Sequence, residues 1–114
     1  MLIAINNLRD IAEDRSTGKK TLAVRFGETF ARIEIMALID LAAFLGIYWW
    51  SIGWTVAAWA PSGLLLVIGT PLIRSLWRTP PGPSYNRFLA ASGALLVGFS
   101  VALSVGMMLH QGQR

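Results

Sequence analysis

Past Asp40 the chain carries only four charged side chains, Arg74, Arg78, Arg87 and Arg114; the other twelve of its sixteen lie at or before that residue. Uncharged apolar runs of that length belong inside a membrane. Only 14% of the 114 residues are charged and 54% are hydrophobic, against roughly 25% charged in an average soluble domain. The pattern therefore specifies an integral membrane protein built from helices. The formal charge of +4 would suggest nucleic acid in a soluble protein. Here it has a membrane explanation, because cytoplasmic loops collect Lys and Arg, so no nucleic-acid partner is expected. There is no cysteine, which excludes disulfides, thiol chemistry and thiolate-bound metals.

Three spans follow. Thr29 is a suitable N-cap for a helix over 29–50, whose 18-residue Ile33–Trp50 part crosses a hydrocarbon core of about 30 Å at roughly 1.5 Å per residue. Glu34 sits at its edge and Asp40 about two turns inside. A carboxylate at that depth costs about 2.5–3.5 kcal/mol on insertion scales, so Asp40 is expected to face the bundle interior, lining a cavity or bonded to a neighbouring helix. Tyr48, Trp49, Trp50, Trp54 and Trp59 read as an interfacial aromatic belt. The second span, 56–76, contains Pro71, which is expected to bend it. Pro80-Pro81-Gly82-Pro83 marks a non-helical connection. The last span, 88–110, includes the uncharged Phe88–Leu109 run and small residues such as Gly93, Gly98 and Gly106 for close helix contact. His110 is expected to be an interfacial polar residue.

Charge concentrates instead in Asn6–Gly27, NNLRDIAEDRSTGKKTLAVRFG. As one helix over Leu2–Arg15, this stretch puts Asn6, Asp10 and Asp14 on a single face at i, i+4 and i+8. Carboxylates on successive turns repel unless a cation lies between them. Mg²⁺ suits such a pair, since it needs one or two protein carboxylates and completes its shell with water and phosphate oxygens. Lys19, Lys20 and Arg25 follow, the residue types that bind diphosphate. An ordinary salt-bridged helix surface, with Arg9, Glu13 and Arg15 as partners, would have the same composition. Ser16-Thr17-Gly18 reads as a helix stop with Gly18 left-handed. Thr21–Phe26 fits either a surface helical turn or a packed loop.

The order of residues, Asn-Asn-x-Arg-Asp-x-x-x-Asp followed by Gly-Lys-Lys-Thr-Leu-Ala-Val-Arg-Phe-Gly, resembles the second aspartate-rich motif of the UbiA-type intramembrane aromatic prenyltransferases, and within them the menaquinone-pathway branch that acts on 1,4-dihydroxy-2-naphthoate. The resemblance covers the first quarter of the chain in diagnostic residues and the remainder in helix layout. It implies a polytopic all-α membrane bundle of nine helices, of which this chain would be the C-terminal third: a motif helix and cytoplasmic loop over 1–27 and three transmembrane helices. It implies Mg²⁺ as cofactor, polyprenyl diphosphate and an aromatic acceptor as substrates, and a bacterial inner-membrane location. By the same resemblance Asp10 and Asp14 are catalytic and, with Asn6, hold the metal. Lys19 and Arg25 bind the diphosphate, Arg9 orients Asp10 or reaches the phosphate, and Asn7 and Lys20 are secondary candidates.

The positive-inside rule places nine of the ten basic residues, and the motif, on the cytoplasmic side, with Arg114 opposite. Only one of the two aspartate motifs of such enzymes is present, so the chain is expected to supply half a site and to need the N-terminal helices of the same enzyme as partners. A non-catalytic membrane partner or assembly protein derived from such an enzyme is the alternative.

Overall fold

The computed structural model describes residues 1–111; the expectations for Arg114 and the end of the polar tail lie outside them. The described chain is all helix and turn. In order come α1 (Leu2–Arg9), α2 (Ile11–Ser16), α3 (Leu22–Ser51), α4 (Thr55–Leu64), a widened π-helical turn (Leu65–Gly69), α5 (Thr70–Arg78), a 3₁₀ turn (Pro83–Tyr85) and α6 (Asn86–Gln111). α4, the widened turn and α5 run on as one rod. That rod is the middle of the molecule, packing against α3 on one side and α6 on the other, while α1 wedges between α3 and α6 at one end. The bundle measures 57 × 22 × 21 Å.

Two helical stretches, Thr55–Arg78 and Pro83–Gln111, are long and apolar enough to cross a membrane; α3 is the third long helix, with Arg32, Glu34 and Asp40 in it. Large apolar side chains are exposed along the bundle, among them Val67 at 73%, Met108 at 71% and Phe44 at 65%. In water such a surface would aggregate. In a bilayer it is the ordinary outside of a helical bundle, and the chain is a partial membrane helical bundle.

Close packing depends on small residues. A Cβ on Gly106 of α6 would lie 2.6 Å from the Cα and 2.7 Å from the N of Ala57 on α4. Backbone therefore meets backbone there. Around α1 the core is larger: Ala4, Ile5 and Leu8 pack with Ala31, Ile35, Leu76, Tyr85 and Phe88.

Several local expectations are corrected. The motif helix breaks at Asp10 (φ −95°, ψ 11°), although the Asp10 N–H still donates to Asn6 O (3.1 Å) and the Asp14 N–H to Asp10 O (2.8 Å). The three positions stay one helical turn apart across the break. Thr29 is not a cap: α3 begins under Thr21, whose hydroxyl accepts from Val24 N–H at 3.3 Å, and kinks at Gly27 (φ 89°, ψ 175°). That conformation is essentially confined to glycine. Thr21–Phe26 is thus the helical turn rather than a loop. The irregularity in the second span precedes Pro71, at Leu65–Gly69 between Pro61 and Pro71, each of which removes one ladder N–H. Asp40 lines a cavity, as one alternative had it, but no helix among the described residues covers it. It is exposed at the edge of an apolar groove between α3 and α4, beside Phe44, Ile47, Ser62 and Leu66, because the inward positions of α3 are taken by Ile35, Ile39 and Gly46.

Candidate functional site

The charged motif and the proline-rich connection meet at the same end of the bundle. A cavity of about 380 Å³ lies between them, lined by Arg9, Asp10, Glu13, Pro81–Pro83 and Asn86 among others. The position of α1 follows from its apolar face. Ile5 and Leu8 are fully buried, which leaves Asn6 and Arg9 partly exposed beside them.

Asp10 and Asp14 occupy different environments. Asp10 is gripped by its neighbour: Arg9 Nε donates to Oδ1 at 2.6 Å and Nη2 to Oδ2 at 2.7 Å. These hydrogen bonds hold the Asp10 carboxyl below the usual carboxylate range; partial burial works against them, and the positive charges of Arg9 and then Lys19 add to them. The same bond with Asp10 raises Arg9 above its already high ordinary value. Asp14 is turned inward and only 5% exposed. Its Oδ1 accepts from Lys19 Nζ at 3.0 Å, while its Oδ2 is buried without a hydrogen-bond partner among the described residues.

The α2 terminus explains how Lys19 reaches back. Lys19 N–H donates to Asp14 O at 2.9 Å and Gly18 N–H to Arg15 O at 3.4 Å, with Gly18 at φ 75°. This is the Schellman pattern, with the left-handed glycine that the sequence marks as the stop. The turn carries Lys19 under the carboxylate it pairs with. Arg25 and Lys20 are exposed, and neither makes an ion pair among the described residues. Glu13 is exposed as well.

The donor set fits a hard cation. An orphaned carboxylate oxygen on Asp14, a second carboxylate one turn away and the Asn6 amide are all oxygen donors of the kind Mg²⁺ accepts. Among the described residues no group of three or more His, Cys, Asp or Glu side chains is close enough to hold a metal ion. Among the described residues this end brings two carboxylates within one turn of each other, and three of their four oxygens already accept from Arg9 or Lys19.

Three contributors at this end were not legible from local sequence. Asn86 accepts from Arg9 Nη1 at 2.8 Å across 77 positions. Arg32 joins Glu28 at 3.2 Å and Thr79 O at 3.4 Å, tying α3 to the end of α5. Tyr85, fully buried, directs its hydroxyl to Thr79 O at 2.9 Å and Leu76 O at 3.2 Å. At the opposite end Trp54 stacks on His110, centroids 4.5 Å apart, and touches Trp49 at 5.4 Å.

Comparison with known proteins brings the fold and the motif together. Residues 1–95 match the UbiA prenyltransferase family. Over 113 residues the chain is 34% identical to the 1,4-dihydroxy-2-naphthoate octaprenyltransferase of Escherichia coli (strain K12), covering 91% of this chain and 34% of that protein. Over 75 residues it is 36% identical to the 1,4-dihydroxy-2-naphthoate octaprenyltransferase of Haemophilus influenzae, covering 63% of this chain and 22% of that protein. The matches thus span about a third of the length of the E. coli relative and about a fifth of the H. influenzae one. No solved structure matches it.

Proposed function

We propose, from the premise that the chain belongs to the UbiA prenyltransferase family, that it supplies half of the site for Mg²⁺-dependent transfer of a polyprenyl group from its diphosphate to an aromatic acceptor, 1,4-dihydroxy-2-naphthoate, in menaquinone biosynthesis. In that reaction the allylic C–O bond breaks, a bond forms from the prenyl carbon to the ring, and diphosphate and carbon dioxide leave. The observation that carries the reading is the pair Asp10 and Asp14, held one turn apart beside a basic turn, with one carboxylate oxygen buried and unpartnered.

Each residue has a separate part. Asp10 and Asp14, with Asn6, would hold Mg²⁺. The ion, when bound, neutralises the charge that grows on the diphosphate as it leaves. Lys19 already spends one donor on Asp14 and has two more for phosphate oxygens. Arg25, exposed and uncommitted to an ion pair among the described residues, binds the same group. Arg9 orients Asp10. The apolar helices house the prenyl tail and keep water from a carbocation-like intermediate. The motif end faces the cytoplasm of the bacterial inner membrane, where Mg²⁺ and the acceptor are available.

The test is expression of this chain in membranes together with the N-terminal portion of the E. coli relative. Mg²⁺-dependent transfer of labelled polyprenyl to the naphthoate is expected. Asp10→Asn or Asp14→Asn abolishes it, and Glu13→Gln reduces it far less. Transfer that persists in both aspartate variants would sink the assignment. Mg²⁺-dependent turnover by the chain alone would instead overturn its role as half a site.

A further inference from the structure

A guanidinium has five N–H donors in one plane. Arg9 places two on Asp10 and one on Asn86, which leaves two without a partner among the described residues. The first pair alone fixes one edge of the group. A third bond from outside the motif fixes its plane.

We propose that Asn86 is a positioning residue for the aspartate motif, its amide oxygen clamping the Arg9 guanidinium so that Asp10 and the two remaining donors keep fixed directions at the edge of the cavity. The inference rests on the prenyltransferase reading only for what those donors receive, the oxygens of a diphosphate.

Asn86 is itself exposed, yet its place is firmly set. It follows Tyr85, which is fully buried, packs edge-on against Phe88 with centroids 5.1 Å apart, and is anchored to the last carbonyls of α5. The turn before it closes through Tyr85 N–H to Gly82 O at 2.9 Å, with Gly82 at φ 148° and ψ −165°, a conformation that glycine adopts and other residues avoid. The first residue of α6 is therefore held to α5 from one side and to α1 from the other. The residue type also matters. A neutral amide orients the guanidinium without competing with Asp10 for it, whereas a carboxylate would add negative charge where an anionic substrate must sit.

The clamp can be observed directly by ¹⁵N NMR of the whole chain in detergent micelles, at the Arg9 Nη groups. A guanidinium held from two sides rotates slowly and gives two separate Nη signals, while a freely rotating one gives a single averaged signal. Separate signals are expected in the wild type and in Asn86→Asp, which keeps an acceptor and a fold, and a merged signal in Asn86→Ala. In membranes that also carry the N-terminal portion of the E. coli relative, the affinity for inorganic pyrophosphate with Mg²⁺ should fall about tenfold in Asn86→Ala. It should not fall further when Asn86→Ala is added to Arg9→Lys. Unchanged Arg9 signals in Asn86→Ala would overturn the proposal, and so would an equal loss of affinity in both backgrounds. If the signals merge as expected while pyrophosphate fails to bind even the wild type paired with that N-terminal portion, the positioning role stands and the prenyltransferase reading falls.

Discussion

Asp14→Asn should make the chain more stable, by about 1 kcal/mol, when no divalent ion is present. Asp14 is buried, and its Oδ2 has no donor among the described residues. Leaving a buried acceptor unpaired costs about 1–3 kcal/mol, and more when it is charged. Against this stands the bond to Lys19, whose side chain is 57% exposed; a pair with so wet a partner returns about 0.2–1 kcal/mol. The penalty is the larger quantity. A neutral amide of the same size still leaves an unpaired polar group there but removes the charged part of the penalty, at the cost of the smaller quantity. Mg²⁺ should reverse the order, because a ligand at a hundred times its dissociation constant adds about 2.7 kcal/mol to the form that binds it, and the asparagine variant has lost a ligand oxygen. Reversible unfolding in mixed micelles, followed by the five tryptophans, measures both conditions. If Asp14→Asn is the less stable protein in chelator by more than about 1 kcal/mol, Asp14 is a structural anchor for Lys19 and the argument fails. An equal gain from Mg²⁺ in both proteins would remove the metal from the explanation.

Asp10 should behave with the opposite sign. Its carboxyl is held below the ordinary range by Arg9, so its contribution is complete above the unfolded value of about 3.9 and disappears as pH falls through the lower folded value. The stability gap between wild type and Asp10→Asn, measured by the same unfolding assay, should be constant from about pH 5 to 8 and close only in stronger acid. Gly106→Ala forces a methyl group against the Ala57 backbone and should cost about 1–3 kcal/mol more than Gly93→Ala, a glycine with nothing within 4 Å of the added carbon; equal values from unfolding would contradict the close α4–α6 contact. Reporter fusions after Gly27 and at Gly82 should both read cytoplasm and one near Gly53 the opposite side, and opposite readings at Gly27 and Gly82 would break the three-span arrangement.

The sequence was most informative where one residue type has one physical use. Gly18 stops α2 because few other residues take a left-handed conformation, and that is visible without a structure. The motif's helical spacing survives for a related reason: backbone bonds from Asp10 and Asp14 continue across the break. What stayed hidden depends on partners distant along the chain. Nothing local to Arg9 shows that it reaches Asn86, or that Asp14 turns inward while Asp10 stays at the edge. Asp40 is covered by none of the described helices and lines the groove between α3 and α4. Insertion cost says that a deep carboxylate should be covered, but the rule does not say by which helix, and the inward positions of α3 were already filled by Ile35, Ile39 and Gly46. Thr29 has the right chemistry for a cap, yet Gly27 bends a helix that had already started at Leu22.

The widened turn at Leu65–Gly69 changes how the middle rod keeps its phase. Its buried stripe runs Ala57, Ala58, Pro61, Leu65, Gly69, Leu72 and Leu76. Steps of four along a regular helix overshoot a full circle by about 40° each, so two in succession, from Pro61 to Gly69, would carry the stripe about 80° off its neighbours. A turn closed by bonds to the fifth residue takes up about one residue more than an α-turn, and the error is cancelled where it accrues, much as a leap day realigns a calendar. Removing one residue there, such as the exposed Val67, would let an ordinary helix form with both halves of the stripe still in line. The same deletion in the regular part of α6 has no such slack and would rotate every later residue, Gly106 included, off the face that meets α4.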